Sequence, residues 1–117
     1  MAYIDGLVAA VPNANKDAYR KMAERSSVIF KDHGAVQLVE CWGDDVPDGT
    51  LTSFPMAVKC GADETVVFAW IMWPDKSTRD AGMKQAMEDS RMQSLMETMP
   101  FDTKRLIFGG FDVIVDR

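Results

Sequence analysis

Apolar positions along this chain recur with two distinct periods. Tyr3 to Val11 is rich in Val, Ile and Ala and is stopped by Pro12, which predicts a first strand. Ala18, Tyr19, Met22, Ala23, Ser26, Ile29 and Phe30 follow at helical spacing and form one face of a first helix. Asn13 or Asn15 can cap it, and Asp17 suits its first turn. Lys31 and His33 suit its last turn, before a left-handed stop at Gly34. Ala35 to Gly43 predicts a second strand, and Asp44 to Thr50 a polar loop. Phe54 to Cys60 predicts a short strand that Pro55 pushes toward an edge. Thr65 to Trp73 is the strongest strand signal in the chain. Ser77 to Asp80 has capping-box spacing and opens a second helix with Met83, Ala86 and Met87 inward. "EDSR", Glu88 to Arg91, can restart it toward Met92, Leu95, Met96 and Met99, and Pro100 closes the unit. Arg105 to Val115 predicts a last strand, where Gly109 and Gly110 imply a bulge or a close backbone approach. The order is β-α-β-(β)-β-α-β. It predicts an α+β fold, a ferredoxin-like sandwich with one extra short strand, as a single domain over residues 1–117.

Both faces of the sheet read as apolar. In Val66 to Trp73, one row is Val66, Phe68, Trp70 and Met72, and the other is Val67, Ala69, Ile71 and Trp73. Two helices cover one face, so the second needs a partner, because soluble monomers rarely expose a large apolar patch. Three other rows are apolar except for a single carboxylate: Asp5 with Leu7, Ala9 and Val11; Glu40 with Val36, Leu38 and Trp42; Asp112 with Leu106, Phe108 and Ile114. The expectation is that these dotted rows lie together and face a second copy of the sheet, closing a barrel between two subunits. Burying four large side chains at about 1.5–3 kcal/mol each gives roughly 6–12 kcal/mol per subunit, ample to drive a homodimer.

The charge of −5 and pI near 4.7 disfavour nucleic acid as a partner, and no Lys/Arg run offsets them. "MAYIDGLVAAVP" lacks a basic start and is too short to cross a bilayer, so no signal peptide and no membrane association are expected. Cys41 and Cys60 are far apart, and the expectation is a cytoplasmic chain in which both are reduced, buried and inert. One His and no Cys cluster predict no metal site. GxGxxG, Walker, GxSxG and HExxH motifs are absent, so no particular reaction is signalled.

"YIDGLVAAVP", "VECWGDDVPDG", "VVFAWIMWP", "RDAGMKQAMEDSRM" and "MPFDTKRLIFGGF", in that order, resemble the YbaA-like family of small bacterial proteins of unknown function. The likeness covers nearly the whole chain. It implies the dimeric α/β-barrel superfamily, which includes cofactor-free monooxygenases, haem-degrading enzymes, lactone isomerases and stress proteins. The resemblance supplies no catalytic residues to carry over.

Candidate site residues follow from the rows. Glu40 is the candidate general base, because desolvation in an apolar cavity would raise its pKa. Trp42 and Trp70, with Phe68 beside them, are candidates to hold a flat ligand. Asp5 and Asp112 lie on neighbouring strands and are candidates for a coupled carboxylate pair. Arg105, with Arg79, Arg91 and Lys104, can bind an anionic group at the barrel mouth; the competing reading is surface solvation or salt bridging. His33 fits a helix C-terminus structurally, and would be an axial haem ligand only if that end faced a pocket. The methionines of the second helical region read as loose core filling. Two functions remain open. One is a protein that binds or transforms a small apolar organic molecule without metal or organic cofactor. The other is a non-catalytic assembly module whose barrel interior is only a packed dimer core.

Overall fold

The computed structural model describes all residues, 1–117. Four strands, β1 (Tyr3–Pro12), β2 (Gln37–Trp42), β3 (Glu64–Trp73) and β4 (Ile107–Asp112), form one sheet in the order β2-β3-β1-β4. Every neighbouring pair is antiparallel. Helices α1 (Lys16–Asp32), α3 (Lys76–Glu88) and α4 (Ser90–Met96) pack on one face, while a single turn, α2 (Phe54–Ala57), lies elsewhere. This is the mixed α+β architecture expected from the sequence. The two central strands, β1 and β3, are those whose rows are most apolar on both sides.

The register decides which side chains share a face, because directly opposed residues project the same way. Tyr3 opposes Trp73 and Asp112, Leu38 opposes Ile71, and Trp42 opposes Val67. Odd positions of β1 and β3 therefore join even positions of β2 and β4. Burial shows that this is the helix-covered face: Tyr3, Ile71 and Trp73 pack with Ile29, Phe30, Ala86 and Met92, while Val11 and Val67 pack with Tyr19 and Ala23. The open face carries Ile4, Gly6 and Val8 with Phe68, Trp70, Ile107 and Phe111. The three dotted rows do lie together, as expected, but on the helical side. Two of their carboxylates, Asp5 and Glu40, meet partners from the helices, which the strand pattern alone does not reveal, while Asp112 stays exposed.

The predicted short strand at Phe54–Cys60 is instead helical over Phe54–Ala57. Ser53 caps it by accepting from the Met56 N–H at 3.1 Å, and Pro55 stands in the first turn, where a missing N–H is harmless. Buried Val58 follows, packed on Ala10 and Val66, so this segment covers one end of the open face.

Other ends differ by a residue or two. Asn15 occupies the N-cap position of α1, but its side chain caps nothing and donates to the Pro100 carbonyl at 2.8 Å. Asp75, not Ser77, caps α3 by accepting from the Thr78 N–H at 2.7 Å. The expected restart occurs, with Asp89 capping α4. The last strand is shorter than predicted, because Thr103–Arg105 forms a 3-10 turn and the chain leaves the sheet after Asp112. Gly34 supplies the expected left-handed stop at φ 111°. At Gly110 a side chain would collide with the Tyr3 hydroxyl and Arg79, so the close approach read from the paired glycines is real.

Gly82 lies inside α3 where a Cβ would strike the His33 carbonyl and the Trp73 ring. Gly→Ala within a helix ordinarily stabilises by up to about 1 kcal/mol. Here overpacking reverses the sign: Gly82→Ala is expected to destabilise by about 1–3 kcal/mol in chemical denaturation. An unchanged or raised midpoint would contradict this packing of α3 on β3.

Candidate functional site

Glu40 sits mid-strand in β2 on the helical side, opposite Ala69. Tyr19 belongs to the inward stripe of α1 and donates its hydroxyl to Glu40 Oε1 at 2.7 Å. No protein group donates to Glu40 Oε2, and that atom is not sealed from the surroundings. Between α1 and β2 lies a cleft of about 340 Å³ that contains Tyr19, Glu40 and Trp42, floored by Ala23, Leu38 and Val67. Lys16, at the start of α1, places its Nζ 5.2 Å from the centre of the Trp42 ring.

Burial pushes the Glu40 carboxyl above its ordinary 4.5, and the Tyr19 hydrogen bond opposes that rise. The Tyr19 hydroxyl is pushed far up by burial and then by the adjacent Glu40, so it remains a donor throughout the physiological range. Phe101 meets the Tyr19 ring edge to face at 5.6 Å, and the Asn15 bond to Pro100 holds that loop against α1. A carboxylate with one oxygen fixed and one free, in a cleft floored by hydrocarbon, is equipped to accept a hydrogen from a bound molecule. No three His, Cys, Asp or Glu side chains come together in a metal-ligating cluster.

The remaining candidates divide among other places. Trp42 shares the Glu40 cleft, but Trp70 and Phe68 lie on the opposite face, edge to face with each other at 5.9 Å. No ligand can be sandwiched between Trp42 and Trp70, because the sheet separates them. Asp5 lies on the helical side away from the cleft. Arg79 donates to it through Nε and Nη2 at 2.8–3.1 Å, and Trp73 Nε1 donates at 2.9 Å. Asp112 is exposed opposite Tyr3, one pleat repeat from the Asp5–Gly110 pair. Asp5 is thus occupied by a cation rather than coupled to a second carboxylate.

Arg105 is engaged within the chain, donating to both oxygens of Glu64 at 2.7 Å, to Asp102 at 3.1 Å and to the Lys59 carbonyl at 2.8 Å. This bidentate contact, with the Gly61 N–H, holds the Glu64 carboxyl down to about 2. Arg79 is held by Asp5 and Asp80, and Arg91 by Asp89 and Asp32. His33 Nε2 lies 2.9 Å from Asp89 Oδ2, joining the end of α1 to the α3–α4 break. Both cysteines are free, but neither is buried as expected: Cys41 is exposed on the outer side of edge strand β2 and Cys60 is half-buried. Met92 is buried as core filling, whereas Met96 is 53% exposed.

Tyr19 is the member of this candidate site that sequence reasoning did not single out. It appears only as one member of the inward stripe. Its hydroxyl was the available signal, since a buried tyrosine needs a hydrogen-bond partner.

Comparison with known proteins places these features in context. A family model described as "Protein of unknown function (DUF1428)" matches residues 2–103. The "Uncharacterized protein YbaA" of Escherichia coli (strain K12) is 53% identical over 116 residues, covering 99% of each chain, and the protein of that name from Shigella flexneri matches equally. Among solved structures, SnoaB, a cofactor-independent oxygenase from Streptomyces nogalater, superposes with a TM-score of 0.60 at 12% identity, over 98% of this chain and 95% of that one. HapK from Hahella chejuensis gives 0.51 at 16% identity, over 100% and 96%. At these identities the likeness to the solved structures is one of fold.

The Tyr19 bond lowers the Glu40 pKa, so Tyr19→Phe is expected to raise it further, read as a titration shift of the Glu40 carboxyl by carbon NMR. Because Glu40 is raised in the folded chain, its favourable contribution is present below the unfolded value of 4.5 and is lost as pH rises through the folded pKa. Glu40→Gln removes that loss. The variant should gain stability over the parent at neutral pH relative to pH 4, and a difference that does not change with pH would contradict the assignment.

Proposed function

The chain belongs to the DUF1428 family of proteins of unknown function, and on that premise we propose that it binds a small, largely apolar organic molecule in the cleft between α1 and β2. The observation that carries this reading is Glu40, with one oxygen fixed by Tyr19 and the other free beside an apolar floor. A bound O–H or N–H group satisfies that free oxygen, and the hydrocarbon of the ligand rests on Leu38, Val67 and Trp42. Where the ligand is also a substrate, the step this cleft supports is proton removal, with Glu40 as acceptor and Tyr19 as the group that keeps it oriented. SnoaB is described as a cofactor-independent oxygenase; chemistry of that kind would draw its electrons from the substrate and ask the protein only for a base and a dry site.

Assembly is part of the proposal. We read the chain as ferredoxin-like and as one half of a dimeric α/β barrel, a reading that the antiparallel strand order β2-β3-β1-β4 supports. On the open face Phe68 is 41% exposed, Ile107 45% and Phe111 57%. They share a broad apolar depression of about 650 Å³ with Ile4, Val8 and Trp70. No Asp, Glu, Lys or Arg stands in the rows Ile4–Ala10 and Val66–Met72, so a second copy can approach without desolvating a charge there. The reading as an assembly module without turnover shares this interface and differs in leaving the Glu40 cleft without a ligand.

Sedimentation of the parent chain should give a particle of twice 13.0 kDa at micromolar concentration, and Phe68→Asp with Phe111→Asp should return it to a single chain. A stable lone chain in the parent would defeat the dimer proposal. A melting screen of hydroxylated and amino aromatic compounds should find ligands that stabilise the parent. Glu40→Gln should weaken them by about ten-fold or more, as expected for loss of a charge-assisted bond, while leaving the dimer intact.

A further inference from the structure

The lining of the α1–β2 cleft narrows the class of molecule it takes, an inference that rests on that cleft being a binding site. We propose that it selects an organic amine, with the protonated nitrogen held between the Glu40 carboxylate and the Trp42 indole, and the apolar body on Leu38 and Val67.

An indole face attracts cations, and this one already carries a cation, the Lys16 ammonium at 5.2 Å. Lys16 is tethered to the first turn of α1 and can swing into water, so a ligand ammonium can take its place. Glu40 and Trp42 project from the same side of β2 one pleat repeat apart, roughly 7 Å, which leaves room for a nitrogen between them. The free oxygen of Glu40 is open to a bound donor, and an ammonium supplies one together with a compensating charge for a carboxylate that burial disfavours.

The surrounding charge points the same way. Asp17, Glu24 and Glu40 line the cleft against Lys16 and Arg20, and Arg20 is held by Asp17 at 3.2 Å. The chain as a whole carries −5. Anions are therefore repelled. A neutral alcohol satisfies Glu40 but gains little from the indole face, whereas an ammonium gains from both.

Three compounds of one shape test this: 2-phenylethylamine, 2-phenylethanol and phenylacetate, titrated against the full chain while the Trp42 indole N–H signal is followed by NMR. The amine should move that signal and bind about ten-fold or more tightly than the alcohol, with phenylacetate weakest. Glu40→Gln should erase the preference for the amine. Lys16→Gln, a surface change that leaves the core untouched, should strengthen amine binding by vacating the ring. If the alcohol or phenylacetate moves the Trp42 signal at equal or lower concentration than the amine, or if Lys16→Gln weakens the amine, selection for a cation is wrong while the cleft still stands as a binding site. If none of the three moves it at millimolar concentration in the folded chain, the cleft reading itself fails.

Discussion

Strand β3 has no polar side chain from Val66 to Trp73, and that constraint organises everything around it. A strand with one apolar row needs one cover; this one needs two. On one side α1, α3 and α4 supply it, and Trp73 ends up fully buried against Phe30. On the other side Val58 covers the end nearest Ala10 and Val66, and Phe54 of α2 meets the Phe68 ring edge to face at 5.9 Å. Phe68 nonetheless stays 41% exposed, and with Trp70, Ile107 and Phe111 it forms the remaining apolar surface on which we base the proposal of a second chain.

The helical side poses a different problem, since two carboxylates lie in rows otherwise built for burial. The structure answers them unequally. Asp5 receives a guanidinium and an indole N–H, so both its oxygens and its charge are matched. Glu40 receives one phenolic hydroxyl and no cation. The first arrangement is complete and needs nothing from outside. The second leaves an acceptor open, and burial raises its affinity for a proton. This contrast, more than any motif, separates a structural carboxylate from a candidate functional one.

Much of the fold was legible in the sequence because its signals are local. Pro12, Gly34, Pro74 and Pro100 punctuate the chain, and the helical stripe from Ala18 to Phe30 needs no tertiary information. The phase of the sheet was harder. When both rows of a strand are apolar, alternation yields two sets without saying which faces the helices. Rows dotted with a carboxylate look like the wetter set, yet Arg79 and Tyr19 come from α3 and α1 to meet Asp5 and Glu40 on the helical side. That exchange of faces parted Trp42 from Trp70 and left Glu40 with Tyr19, a residue 21 positions earlier that periodicity marks only as core. Phe54–Cys60 failed for a local reason, since Ser53 and Pro55 together start a helical turn more readily than an edge strand.

The Asn15 bond to Pro100, with Phe101 against Tyr19, ties the loop before β4 to the opening turns of α1 across 85 residues of sequence. Heredity therefore has a way to adjust this pocket from a distance. Replacements around Pro100 can tilt the Tyr19 ring, and through it the carboxylate, while the residues that line the cleft stay the same. Related chains with identical walls can in this way differ in the shape and proton affinity of the cleft.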